Sequence, residues 1–241
     1  MDNKINVLEY FFSIDGETKR SGELVWFIRL AGCNLACSYC DTDWCHKEKG
    51  TEWDATDLVK DIMETNKCRK VTLTGGEPLN HPNVCNLIKE LLVNGFDVNI
   101  ETNGSVDPYK VLDKTTFGKY RRKGQLWFSM DYKSKFSGMQ KFMLSASKMS
   151  YILGNNDCLK FVVANEEDLE DAYHRIKLVE RYYRENNVPE NKRCTYYFSP
   201  CFGEIELPRI VEFMMEKKMY NRVKFQIQVH KIVWDPQARG K

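Results

Sequence analysis

The CxxxCxxC spacing of Cys33, Cys37 and Cys40 in GCNLACSYCDT, directly after the apolar run 24–30, places three thiols on one loop. Thiolates favour iron–sulfur clusters over hard, oxygen-seeking ions, and three of them would leave one iron of a four-iron cluster open. A structural zinc site competes with this reading. It needs four ligands, usually in two separated pairs, and Cys45 or the adjacent His46 could complete one. On the cysteines alone the two readings stand level.

Other residues carry chemistry of their own. Thr74-Gly75-Gly76-Glu77-Pro78 follows one β-branched run, and Glu101-Thr102-Asn103-Gly104 follows another. Paired glycines are ordinary turn residues, but a missing Cβ also lets backbone approach a ligand closely. Glu77 fits a helix cap or part of such a turn. Asp41, Thr42 and Asp43 read as a solvated turn or as oxygen ligands for Mg²⁺, which keeps several waters and needs few protein oxygens. Arg29, four residues before Cys33, offers a guanidinium that can grip a carboxylate with two parallel hydrogen bonds; an ion-pair arginine is the plainer reading.

These residues need a frame. Strand-length apolar runs recur at 24–30, 70–74, 96–101, 126–130, 159–163, 195–198 and 223–229. Ala55, Leu58, Val59, Ile62 and Met63 repeat at helical spacing, as do Val84, Leu87, Ile88, Leu91 and Leu92, which predicts two amphipathic helices packed on a sheet. Pro82 suits the first turn of the second helix and Gly95 its left-handed end. Further helices are predicted over 166–185 and 207–219. Alternating strands and helices imply an α/β fold with a mostly parallel sheet and outer helices. In such sheets ligands bind beyond the carboxyl ends of the strands. The cysteine loop, the GGEP turn, Thr102-Asn103-Gly104, Asp131-Tyr132-Lys133 and Ser199-Pro200 should therefore meet on one rim. Gln226, Gln228 and His230 alternate with Phe225, Ile227 and Val229, giving the last strand a polar face toward water or toward that rim.

Composition sets the bounds. The chain has 241 residues and a net charge of +2, enough for one α/β domain over 1–241 and no electrostatic case for a nucleic-acid or membrane partner. The basic run 119–123 reads as a solvated loop. Nine cysteines without a framework pattern fit a reducing interior, and no stretch approaches the length of a membrane span, so a cytoplasmic protein is expected. Cys68, Cys85, Cys158, Cys194 and Cys201 are expected to be small buried hydrophobes.

CxxxCxxC with Tyr39 before its last cysteine, followed by GGEP, resembles the radical S-adenosylmethionine (SAM) superfamily, which implies a partial, TIM-like (βα) barrel, a 4Fe–4S cluster and SAM held by the GGEP backbone. Ser13-Ile14-Asp15-Gly16-Glu17, Arg29-Leu30-Ala31-Gly32-Cys33, Cys40-Asp41-Thr42 and the stretch from His230 to Pro236 narrow the resemblance to the 7-carboxy-7-deazaguanine synthase family. That resemblance implies ring contraction of 6-carboxy-5,6,7,8-tetrahydropterin with release of ammonia. It assigns Ile14, Asp15, Gly16, Arg29, Thr74 and His230 to the pterin and Thr42 to Mg²⁺. To SAM it assigns Tyr39, Gly75, Gly76, Glu77, Asp131, Tyr132, Lys133, Phe198, Ser199, Pro200 and Cys201. It also implies a homodimer and a one-electron reductant such as flavodoxin or ferredoxin. Two positions depart from the family pattern: Asp15 stands where Gln is common, and Asp131-Tyr132-Lys133 replaces the frequent Ser-Pro-Lys. The competing functions are a radical SAM activase that makes a glycyl radical on a partner protein and a zinc-stabilised binding module.

Overall fold

A computed structural model describes residues 3–65 and 67–241. Nine strands form one sheet in the order β3-β1-β2-β4-β5-β6-β7-β8-β9: β1 (Lys4–Ile14), β2 (Leu24–Leu30), β3 (Thr51–Asp54), β4 (Lys70–Gly75), β5 (Asp97–Thr102), β6 (Leu126–Tyr132), β7 (Cys158–Val163), β8 (Thr195–Pro200) and β9 (Val223–Phe225). β1 pairs antiparallel with β2 and β3, and every pairing from β2 through β9 is parallel. The result is a mostly parallel sheet, as the α/β pattern predicts, curled into the unclosed partial barrel that the superfamily resemblance implies.

The helices are α1 (Ala55–Glu64), α2 (Val84–Val93), α3 (Pro108–Val111), α4 (Lys114–Lys123), α5 (Ala146–Ile152), α6 (Glu166–Glu185), α7 (Leu207–Glu216) and α8 (His230–Val233). The apolar stripes predicted for α1 and α2 bury Leu58, Val59 and Ile62 and Val84, Leu87, Ile88, Leu91 and Leu92. Asp54 caps α1 through the Thr56 N–H, and Asn165 caps α6 through the Asp168 N–H at 3.0 Å. Such side chains satisfy amides that the first turn leaves unpaired.

Three expectations are corrected. The strands β1 and β3 carry no clean alternation and were not foreseen. The run 119–123 is no loop but the last turn of α4, where Arg121 reaches inward to Asp157 with contacts of 2.9 and 2.7 Å. The last strand stops at Phe225, because Gln226 turns its amide to the Thr18 N–H at 2.7 Å and the chain then crosses to Gly16, whose carbonyl accepts from Val229 N at 3.1 Å. The Gln226 side chain and one isolated backbone bond from Val229 take over from the ladder there, so the barrel gap is bridged without a further strand.

The turn between β1 and β2 plugs the opposite end of the barrel. Arg20 donates to the Val71 and Asp97 carbonyls at 2.9 and 3.0 Å and stacks 4.2 Å from the Trp127 ring centre. Thr18 meets Ser129, which bonds Asn99. The floor of the barrel is thus polar and hydrogen-bonded rather than oily.

Asp157 is the clearest stability anchor. Its carboxylate also accepts from the Phe128 and Gly154 amides at 2.8 and 2.6 Å, with 1% of its side chain exposed. Removing one partner of a buried ion pair leaves the other charge uncompensated. Asp157→Ala is expected to destabilise the fold by about 3–5 kcal/mol in urea titration.

Candidate active site

The carboxyl ends of the parallel strands open into one cleft. β2 runs into the cysteine loop, and Cys33, Cys37 and Cys40 all line the cleft with Tyr39. The GGEP turn is welded to that loop: Gly76 N donates to the Leu30 carbonyl at 3.1 Å and Glu77 N to that of Gly32 at 2.9 Å. A Cβ on Gly75 would fall 2.3 Å from the Leu30 oxygen. Both glycines are therefore demanded by packing against β2 and its loop as well as by their place on the cleft wall.

Burial raises the Cys33 and Cys37 thiols, so ligation must release their protons. Asn103 Nδ2 lies 3.7 Å from Cys33 Sγ and 3.0 Å from Asn34 Oδ1, and the Leu35 N–H points at the same sulfur from 3.5 Å. Cys45 does not join the set. It is 1% exposed, burial pushes its thiol up to about 12, and His46 faces solvent. With Cys45 buried away from the cleft and His46 turned to solvent, neither stands where a zinc knot would need its fourth ligand. Three thiols spread around one cleft, backed by amide donors, are a donor set that fits a cluster.

Ile14, Asp15, Gly16, Arg29, Thr74 and His230 also line the cleft. His230 packs on Gly16 so closely that a Cβ there would fall 2.1 Å from Nδ1, and burial lowers the imidazole's proton affinity. Arg29 bonds Glu9 through Nε at 2.9 Å, so the ion-pair reading holds for one edge of the guanidinium. The Asp15 carboxylate faces the barrel floor: it accepts from Thr72 Oγ1 at 2.7 Å and from the Glu17 N–H at 3.3 Å, and burial raises its pKa. Its side chain is engaged in the fold through these two bonds. Thr42 lines the cleft with its hydroxyl 3.7 Å from Cys40 Sγ. Asp43 instead pairs with Lys47 at 3.0 Å on the surface.

Of the residues assigned to SAM, Tyr39, Gly75, Gly76, Asp131, Lys133, Pro200 and Cys201 line the cleft. The Tyr39 hydroxyl is buried without a hydrogen-bond partner among the described residues. The side chains of Tyr132 and Phe198 turn away from the cleft. Successive strand side chains alternate in direction, so Tyr132 meets Gln140 and Arg175 through its hydroxyl, while Phe198 packs between Phe161 and Phe213. Only their backbone could meet a ligand. Ser199 is 1% exposed, and its hydroxyl also has no partner. Glu77 caps the following turn through Leu79 N and binds Thr102 Oγ1 and Asn103 N at 2.9 and 2.6 Å; burial pushes its pKa up to about 7. It positions the β5 end rather than facing the cleft. Cys158, Cys194 and Cys201 are buried as expected, Cys201 at the edge of the cleft, whereas Cys68 and Cys85 are only half-buried.

Sequence reading gave no role to Glu17 and Glu101, though both stand in its motifs, and passed over Lys160. Glu17, Glu101, Gln228 and Lys160 line the cleft beside Asp131 and Lys133. Burial pushes Glu101 up to about 7 against the pull of the Lys160 ammonium. The signal available was Lys160 itself, a lone charge inside the apolar run 158–163, since central parallel strands read as near-continuous apolar runs.

Comparison with known proteins places this geometry. The radical SAM superfamily profile matches residues 27–133. A 7-carboxy-7-deazaguanine synthase of Clostridium acetobutylicum is 40% identical over 237 residues, covering 97% of this chain and 98% of that protein. The chain belongs to the 7-carboxy-7-deazaguanine synthase family. A relative of that name from Methanospirillum hungatei is 31% identical over 233 residues, covering 96% of this chain and 86% of its own. Among solved structures, QueE from Escherichia coli aligns with a TM-score of 0.64 at 20% identity, covering 94% of this chain and 95% of that one. SuiB of Streptococcus suis bound to S-adenosylmethionine aligns at 0.53 and 15% identity over 81% of this chain and 48% of its own. Both share the fold. As a radical SAM enzyme, the protein uses a 4Fe–4S cluster and SAM, and the cysteine cleft fits both. No helix among the described residues is long and apolar enough to cross a membrane.

Proposed function

We propose that this chain, as a single domain over residues 1–241, contracts the pyrazine ring of 6-carboxy-5,6,7,8-tetrahydropterin to give 7-carboxy-7-deazaguanine and ammonia, a step in 7-deazapurine biosynthesis. The observation that carries the reading is one cleft shared by the three cysteines and by Ile14, Gly16, Arg29, Thr74 and His230. When bound, the cluster and SAM supply the one-electron cleavage that generates a carbon radical for hydrogen abstraction. The protein binds, orients and excludes water. Arg29, with one edge fixed by Glu9, presents its remaining nitrogens to the substrate carboxylate. His230 closes over Gly16, Lys231 ties the following segment to Asp41 at 3.2 Å at the cleft, and Arg239 ties the tail beyond to Glu48 at 3.0 Å. This strap favours a small substrate over the polypeptide that an activase must admit, and both curated relatives named above are 7-carboxy-7-deazaguanine synthases.

Several finer features belong to the same reading. Thr42 contributes an oxygen to Mg²⁺, the working form is a cytoplasmic homodimer, and a flavodoxin or ferredoxin supplies the electron. The test is anaerobic reconstitution with iron and sulfide, reduction, and addition of SAM, Mg²⁺ and the tetrahydropterin, followed by mass spectrometry. 7-Carboxy-7-deazaguanine is expected, at a lower rate when Mg²⁺ is left out. 5′-Deoxyadenosine without that product would move the search to another substrate.

A further inference from the structure

A continuous chain of charged side chains crosses the cleft. Gln228 Nε2 donates to Glu17 Oε1 at 2.6 Å, and the other oxygen of Glu17 is held by the Lys160 ammonium. Lys160 reaches Asp131 Oδ1 at 3.1 Å, Asp131 Oδ2 takes Lys133 at 2.7 Å, and the Lys133 ammonium lies 5.8 Å from the Tyr39 ring centre. Lys160, Glu17 and Asp131 expose 12%, 10% and 17% of their side chains. The chain therefore begins at the segment after β9 and the loop carrying Ile14–Glu17, and it ends on the cysteine loop.

Burying an ammonium is costly unless it is paired and hydrogen-bonded. Here burial works against its charge, yet Asp131 first and Glu17 next raise Lys160 well above its ordinary value. The reciprocal holds for the acids: against burial, the Lys160 charge keeps Glu17 low, and Lys133 with Lys160 keeps Asp131 low. All of them stay charged, and among the described residues Lys160 alone touches both carboxylates.

We propose that Lys160 is the positioning residue of this enzyme. It locks the Ile14–Glu17 loop, on the pterin side, to the Asp131–Lys133 end of β6, on the SAM side, so that both molecules sit in one register. This rests on the function proposed above. Without the ammonium, Glu17 and Asp131 repel each other across the cleft and the two sides are no longer fixed to one another. SAM cleavage then continues where hydrogen abstraction from the pterin does not follow.

The experiment compares wild type with Lys160→Met and Lys160→Arg in the reconstituted enzyme, measuring 7-carboxy-7-deazaguanine and 5′-deoxyadenosine in the same reaction. Cluster-free protein is titrated in parallel with 6-carboxypterin by fluorescence quenching. For Lys160→Met, product formation should fall about 100-fold, 5′-deoxyadenosine formation about tenfold or less, and 6-carboxypterin binding should weaken about tenfold, as expected for a misplacement near an ångström. Lys160→Arg, which keeps the charge, should recover part of the coupling. If Lys160→Met does not fold, the paired variant Glu17→Gln/Lys160→Met removes the uncompensated acid and carries the same readouts. An unchanged ratio of the two products with unchanged pterin binding overturns the proposal. Wild-type protein that makes 5′-deoxyadenosine and no 7-carboxy-7-deazaguanine overturns the function reading on which the proposal rests, a failure seen in wild type and so distinct from one confined to the Lys160 variants.

Discussion

Cys40→Ala is expected to give a folded protein that retains no iron after anaerobic reconstitution and makes no product, whereas Cys45→Ala keeps both iron and turnover. Cys40 is half-buried on the loop and lines the cleft. Its backbone is set by Cys40 N donating to the Cys37 carbonyl at 3.2 Å, so alanine disturbs the loop little. Only the thiol goes, and with it one of three protein ligands to the cluster. Cys45 lies five residues on and is equally a thiol in sequence, but its side chain is packed inside the turn 43–46. Burial that pushes a thiol up to about 12 disfavours the thiolate that binds metal. The measurement is iron and sulfide per chain, with the visible absorbance of the cluster. Equal loss of iron in both variants would contradict ligation by three cysteines.

The repeated parallel unit was legible because its signals are local. Helical stripes bounded by cap residues and β-branched runs ending in polar turns gave β2, β4 through β8, α1, α2 and α6 within a residue or two. β1 was missed because KINVLEYFFSI mixes charged and apolar residues. It pairs antiparallel with β2, and only its burial pattern, known after folding, separates one face from the other. The end of β9 was misjudged for the opposite reason: VKFQIQV alternates well, yet Gln226 and Gln228 are drawn to Glu17, more than two hundred positions away in sequence. No local pattern encodes that partner.

The site divides along the same line. Cys33, Cys37, Cys40 and the paired glycines Gly75 and Gly76 announce themselves by spacing, Arg29 and Thr74 by the family resemblance, and all of these reach the cleft. Glu17 was visible within a motif but had no stated role, and Lys160 and Glu101 acquire meaning only when neighbouring strands bring them within reach of each other. Tyr132 and Phe198 show the limit of assigning function by segment: a stretch can meet a ligand while half its side chains, by strand alternation, belong to the helix-facing core.

Gly76→Ala carries the second large effect and tests whether the GGEP turn acts through the cysteine loop. A Cβ at this position would sit 2.0 Å from the Gly32 oxygen, 2.4 Å from its carbon and 2.8 Å from Cys33 Cβ. Those atoms are backbone or are anchored to it, and Gly32 already holds φ +83°, so no flexible side chain can move aside. The strain must displace the loop. Overpacking of this kind costs about 1–3 kcal/mol, a fraction of the roughly 5–15 kcal/mol that holds a domain together. The barrel should therefore survive while Cys33 leaves its place relative to Cys37 and Cys40. The expected result is a native circular dichroism spectrum, a melting temperature lower by several degrees, and iron retention and product formation reduced together. Gly118→Ala is the matched control, since a Cβ on α4 meets nothing closer than Arg122 at 3.4 Å, and it should leave iron content untouched. Full iron loading and wild-type turnover in Gly76→Ala would mean that the turn does not hold Cys33 in place.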